Sequence, residues 1–178
     1  MKKTIAVLSI LFYTSTFAQD KKDTINSMSI WLNGGIIFAT DSSLSYKIDL
    51  DFKESKFVYT LSFHDHTQLV FFDYAERRLY YSFLFGYINS SDYNKSSISV
   101  GFSDAKVVYG DIIGQTGSSF WPTYIYHYRP VNYFGMALKV QTIFYYKFIG
   151  IGLSVEANIN KRRSFIGAGI NISIGKIS

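Results

Sequence analysis

Residues 149–175 alternate between apolar and small polar positions almost without a break. Ile149, Ile151, Leu153, Val155, Ala157 and Ile159 hold one parity against Gly150, Gly152, Ser154, Glu156 and Asn158. Ile166, Ala168, Ile170, Ile172 and Ile174 then oppose Gly167, Gly169, Asn171, Ser173 and Gly175. A period of two belongs to a strand, whose successive side chains point to opposite faces, and it rules out an amphipathic helix. The polar parity is the more constraining of the two. A strand facing water carries Lys, Glu and Thr, whereas five of these ten polar positions are glycine. Glycine weakens a solvated strand but suits a narrow lumen crowded by many strands. Aliphatics on one face and Gly, Ser and Asn on the other fit a small barrel with lipid outside.

The same periodicity divides the chain into eight segments, 29–39, 44–53, 57–64, 79–87, 97–103, 134–144, 149–159 and 166–175. Turn residues at 41–43, 54–55, 89–95, 145–147 and 161–163 separate them. Two longer connections, 64–78 and 110–130, fall at the same end if the strands run up and down. Alternation breaks near Asp104 and Lys106, which predicts a bulge or an exit from the membrane there. The expected fold is therefore all-β: an eight-stranded antiparallel up-and-down transmembrane β-barrel, with short turns on one side and long loops on the other. An even strand count puts both termini on the short-turn, periplasmic side. A soluble, lipocalin-like periplasmic barrel would keep the aliphatics inside instead.

The start of the chain reads as a cleaved signal peptide over 1–18. Lys2 and Lys3 precede a mostly apolar stretch, and small residues at Thr16 and Ala18 place cleavage between Ala18 and Gln19. The stretch is too short for a membrane helix. Residues 19–27 are a polar lead-in, and 28–178 form the barrel domain. Without Lys2 and Lys3, 16 basic residues face 13 acidic ones, a net charge of about +3. That excess does not argue for nucleic acid. There is no cysteine, so neither a lipoprotein anchor nor a disulfide is expected. The 15 Tyr and 16 Phe suit membrane interfaces, and the 17% of charged residues is low for a soluble domain.

Several stretches carry a resemblance. They are Phe134-Gly135-Met136-Ala137-Leu138-Lys139, Phe148-Ile149-Gly150-Ile151-Gly152-Leu153, Asn158-Ile159-Asn160 and Asn171-Ile172-Ser173-Ile174-Gly175-Lys176-Ile177, with Ser97 to Phe102 beside them. Together they resemble the small outer-membrane β-barrel proteins of Bacteroidota. The resemblance implies an outer-membrane location and assembly by the barrel-assembly machinery, and it supplies no catalytic residues. The terminal Gly175-Lys176-Ile177-Ser178 is similar to the Bacteroidota variant, in place of the terminal aromatic of many other such barrels.

Candidate sites are few. Lys47, Asp49, Asp51, Lys53, Lys139 and Glu156 fall on the polar parity, and opposite charges there can pair inside a filled barrel. His64 and His66 share a face around Asp65 and could approach one metal ion with Asp73 or Glu76. So short a motif reads as loop residues at the membrane edge, so no metal and no cofactor is expected. Phe120, Trp121, Tyr124, Tyr126, Tyr128 and Arg129 form an aromatic loop that serves either as an interfacial girdle or as a contact surface for an extracellular or envelope ligand. No serine sits in a nucleophile motif, so no enzyme is expected. The functional expectation is an integral outer-membrane protein with a structural or interaction role through its outer loops. A narrow transport or hydrophobic-ligand barrel is the alternative.

Overall fold

The computed structural model describes residues 28–40, 43–68, 76–91, 93–118, 121–161 and 164–175. The signal segment, its cleavage positions Ala18 and Gln19, and the lead-in lie outside the described residues. Eight strands follow in order: β1 (Met28–Ala39), β2 (Ser43–Glu54), β3 (Phe57–Gln68), β4 (Glu76–Ser90), β5 (Asn94–Ser118), β6 (Trp121–Tyr146), β7 (Ile149–Asn160) and β8 (Phe165–Gly175). Each pairs antiparallel with the next, and β8 returns to β1 through Trp31↔Gly175 to Ala39↔Gly167, closing the barrel. Closure removes the sheet edges that an open eight-stranded sheet would leave.

The strands form where alternation is clean, and the two parities separate into an exposed and a buried set, except at Val140 and Thr142 of β6, which are buried on the outward parity. Ile151 and Ile170 are 64% and 58% exposed, whereas Asp49 and Asn171 are fully buried. A soluble barrel has the reverse arrangement. The outer surface carries Ile30, Leu32, Ile48, Leu61, Val100, Leu153 and Ile172, bordered by aromatics at both ends. At the turn end stand Phe57, Tyr87, Tyr93, Phe144, Tyr146 and Phe148; at the other end stand Phe38, Tyr81, Phe102 and Phe134. The shortest strands are 11 and 12 residues long, about the length that crosses a bilayer at a tilt. This is a transmembrane barrel pattern, an apolar band between aromatic girdles. One hydroxyl pair on the outward parity satisfies itself: Ser96 Oγ and Thr142 Oγ1 lie 3.1 Å apart.

Two hairpins turn in two residues, at Ser55–Lys56 and at Lys147–Phe148. Ser55 and Lys147 take positive φ, 56° and 58°. Left-handed geometry in the turn matches the twist of the flanking strands. The second turn thus starts at Lys147, and Tyr145 belongs to β6 with its ring buried in the lumen.

Three expectations need correction. Within the connection 64–78, the described residues 64–68 and 76–78 are strand, since β3 runs through Gln68 and β4 begins at Glu76. The break at Asp104 is no bulge, because β4–β5 and β5–β6 pairing stays in register past it. Asp104 and Lys106 are outward positions, Asp104 level with the girdle residues Tyr81 and Phe134 that pair with it and Lys106 two residues further toward the ribbon. The irregularity comes later, between Ile112 and Gly114. Finally, 110–130 is no loop. Apart from 119–120, it is the top of a hairpin in which β5 and β6 pair from Gly110↔Tyr128 to Ser118↔Trp121. The run Thr123-Tyr124-Ile125-Tyr126-His127-Tyr128 is rich in β-branched and aromatic residues, which favour strand.

This hairpin outgrows the barrel. β4 last supports β5 at Glu76↔Tyr109, and β7 last supports β6 at Gly135↔Asn160. Eight further pairs continue as a two-stranded ribbon, roughly 25 Å at the usual rise per residue. Pro122 and Pro130 read as strand breakers in sequence. Both sit where β6 has no β7 neighbour, so their missing N–H groups cost no bond on that side.

Candidate functional site

The lumen is stacked in three layers. At the turn end Trp31, Val58, Ile88, Ile143 and Tyr145 form an apolar plug. At the ribbon end Tyr80, Ala105 and Phe165 form another, with Ala39 and Tyr133 against it. Between them lies a charged layer to which β2, β3, β6 and β7 contribute.

Period-two geometry sends Lys47, Asp49, Asp51 and Lys53 inward from β2, Lys139 from β6 and Glu156 from β7; all six are buried. Lys139 Nζ lies 2.8 Å from Asp49 Oδ2 and 3.5 Å from Asp51 Oδ1. Lys47 Nζ bridges Asp49, at 3.3 Å, and Glu156. The β6–β7 register sets Lys139 directly opposite Glu156. Neutral groups complete the shell: Lys47 donates to Ser154 Oγ at 3.1 Å, and Ser62 donates to Asp49. Asp51 accepts from Thr60 and Lys139 on Oδ1, and from Asn33 and Gln141 on Oδ2. Burying carboxylates and ammonium groups is costly unless they are paired and their remaining lone pairs are filled. Here Asp51 is filled completely. Lys53 also has an interaction partner.

The two histidines do not lie in a loop, contrary to the expectation. His64 and His66 sit in β3 and point into the lumen, 6% and 0% exposed, rather than lying in a loop at the membrane edge. Serine hydroxyls occupy both ring nitrogens of His66, Ser43 on Nε2 and Ser45 on Nδ1, and the ring packs on Phe165 with centroids 4.8 Å apart. His64 Nε2 lies 3.1 Å from Glu156 Oε2 and 2.8 Å from Ser62 Oγ. The rings are therefore engaged separately and do not converge on one ion. Among the described residues no cluster of three potential ligands occurs. Asp73 lies outside the described residues, as does the side chain of Glu76. The signal that could have placed both histidines was their parity, which continues the inward positions Thr60 and Ser62.

Ser62, His64 and Glu156 look like a nucleophile relay, but the wiring is wrong. A relay needs the acid on one imidazole nitrogen and the hydroxyl on the other, whereas here both contacts fall on Nε2. The cavity beside them, bordered by Ser62, His64, Ser82, Glu156 and Asn158, measures about 10 Å³. That is room for the centre of roughly one water. It is far too small for a lipid-like ligand.

The second candidate is the ribbon. Trp121, Tyr124, Tyr126, Tyr128 and Arg129 belong to its β6 strand, with Gln115, Ile112 and Gly110 directly opposite the three tyrosines. Arg129, Val131 and Asn132 are exposed at its base. Phe120 lies outside the described residues. Nearby, the exposed Arg77 pairs with Asp65, Nε to Oδ1 at 3.0 Å.

No protein family matches the sequence, and no curated protein does. Solved structures do. The N-terminal β-barrel domain of OprF from Pseudomonas aeruginosa aligns with a TM-score of 0.63 at 9% identity, over 84% of this chain and 98% of that one. Neisserial surface protein A aligns at 0.56 with 9% identity, over 84% and 97%. The Yersinia pestis outer membrane protein Ail in a phospholipid bilayer nanodisc aligns at 0.51 with 12% identity, over 84% and 99%. The chain shares their small-barrel fold.

Proposed function

We propose that the protein is an integral outer-membrane barrel that works without catalysis, through the contacts of its protruding ribbon. The observation that carries this reading is the inverted barrel. Aliphatics and two aromatic girdles lie outside, a filled and charge-paired lumen lies inside, and one hairpin stands clear of the rim. A surface so apolar is stable only against hydrocarbon. The proposed topology puts the turn end and both termini in the periplasm and the ribbon outside the cell. Residues 1–18 act as the export signal, and the barrel-assembly machinery inserts the chain. The likeness to small barrels of Bacteroidota belongs to the same proposal.

Fractionation tests location, since recovery in the soluble periplasmic fraction would contradict it. Heat-modifiable migration on a gel tests insertion. For the ribbon, exchanging 110–128 for a short turn should preserve both behaviours while abolishing whatever surface binding the cell shows. Transport is the weaker reading, because the apolar plugs and the charged layer leave no continuous path among the described residues.

A further inference from the structure

The turn-end plug contains one charge that its surroundings do not explain. Lys95, the second residue of β5, is 2% exposed, and its Nζ makes no hydrogen bond. It lies 4.1 Å from the Trp31 ring centroid and 5.1 Å from that of Tyr145, so two ring faces meet the cation. Rings attract an ammonium but accept none of its three N–H bonds in the way an oxygen does. The carboxylate whose field reaches it is that of Asp51. All four acceptor positions of Asp51 are already taken by Thr60, Lys139, Asn33 and Gln141. Lys53, from the facing strand β2, repels it.

At this end β1 carries two neutral donors that make no hydrogen bond. They are the Trp31 indole N–H and the hydroxyl of Ser29, two residues away on the same inward face of β1. Around the mouth the described charged residues are Lys53, Lys56, Lys95 and Lys147 against Glu54, so this end is electropositive. A buried cation, two unmatched donors and a positive rim have one chemistry in common.

We propose that the turn end of the lumen binds a phosphate-type oxyanion, with Lys95 Nζ as the cation and the Trp31 N–H and Ser29 hydroxyl as neutral donors. Such a group accepts several hydrogen bonds at once and brings the missing negative charge. It can come from a free phosphate in the compartment below or from a lipid headgroup beside the girdle of Tyr87, Tyr146 and Phe148. The site is independent of what the ribbon contacts.

The chain has two tryptophans, so Trp121→Phe leaves Trp31 as the sole indole reporter. In maltoside micelles, titrating the full chain with inorganic phosphate at constant ionic strength should change Trp31 emission saturably, while chloride should not. Lys95→Met should abolish the response, and Ser29→Ala should weaken it about five-fold, one hydrogen bond's worth. In phosphatidylglycerol vesicles without free phosphate, emission already at the saturated value assigns the headgroup. An undiminished response to added phosphate there assigns the soluble anion. Trp31 emission indifferent to both sources, or unchanged behaviour in Lys95→Met, overturns the proposal. If Lys95→Met does not fold, Lys95→Arg and Ser29→Ala decide it: retained binding in the first and weakened binding in the second support the site, and an equal response in both removes it.

Discussion

At the scale of single residues, the decisive contrast is between charges inside the lumen and charges on the rim. Lys139 serves Asp49 and Asp51 together while almost wholly buried. Lys139→Met should therefore leave Asp51 without the Lys139 cation and Asp49 with Lys47 alone, and cost about 3–5 kcal/mol, measured by urea unfolding in lipid vesicles. Arg77 also holds a carboxylate, Asp65, but its side chain is 59% exposed. Arg77→Ala should cost under about 1 kcal/mol, and less in high salt. Comparable costs for the two variants would mean that water reaches the charged layer. The inward direction of these lysines and carboxylates follows from parity, which a reader of the chain can count. Which of them meet does not, because Lys47 and Glu156 are 109 residues apart in sequence.

At the scale of elements, glycine and turn geometry set how tightly the strands close. Gly101 faces the carbonyl of Phe83 so closely that an added Cβ would collide with backbone, whereas nothing lies within 4 Å of the position a Cβ would take at Gly34. Gly101→Ala should thus cost about 1–3 kcal/mol through forced backbone shifts. Gly34→Ala should be neutral or gain up to about 1 kcal/mol by restricting the unfolded chain. Guanidinium titration of the pair checks both signs. Lys147 sits at φ 58°, a conformation that L side chains enter at a cost. Lys147→Gly should therefore stabilise the β6–β7 hairpin by roughly 0.5–1 kcal/mol, read in the same titration, and a loss would mean that the Lys147 contact over the Tyr146 ring matters more. Element boundaries were harder to read than element types. Prolines at 122 and 130 look like strand ends in one dimension, and only the missing β7 neighbour makes them harmless.

At the scale of the whole molecule, the described lumen is filled by apolar side chains at both ends. The plugs around Trp31 and Phe165 enclose the charged layer, so planar-bilayer recording should show no steady open conductance. A sustained single-channel step would contradict the filled lumen. Among the described residues the ribbon has no neighbour on either side, yet Pro122, Pro130 and the irregularity near Ile113 blunt its edges against strand addition.

The amino-acid sequence by itself determined the strand count, the antiparallel order and the inverted distribution of apolar and polar side chains. These depend on a period of two and on residue size, both of which are local. Tertiary structure alone decided that His64 meets Glu156 while His66 meets Ser43 and Ser45, that Asp51 is saturated while Lys95 is left over, and that β5 and β6 outgrow their neighbours. Those outcomes depend on register across strands far apart in the chain and on where each neighbour stops, and no local pattern encodes either.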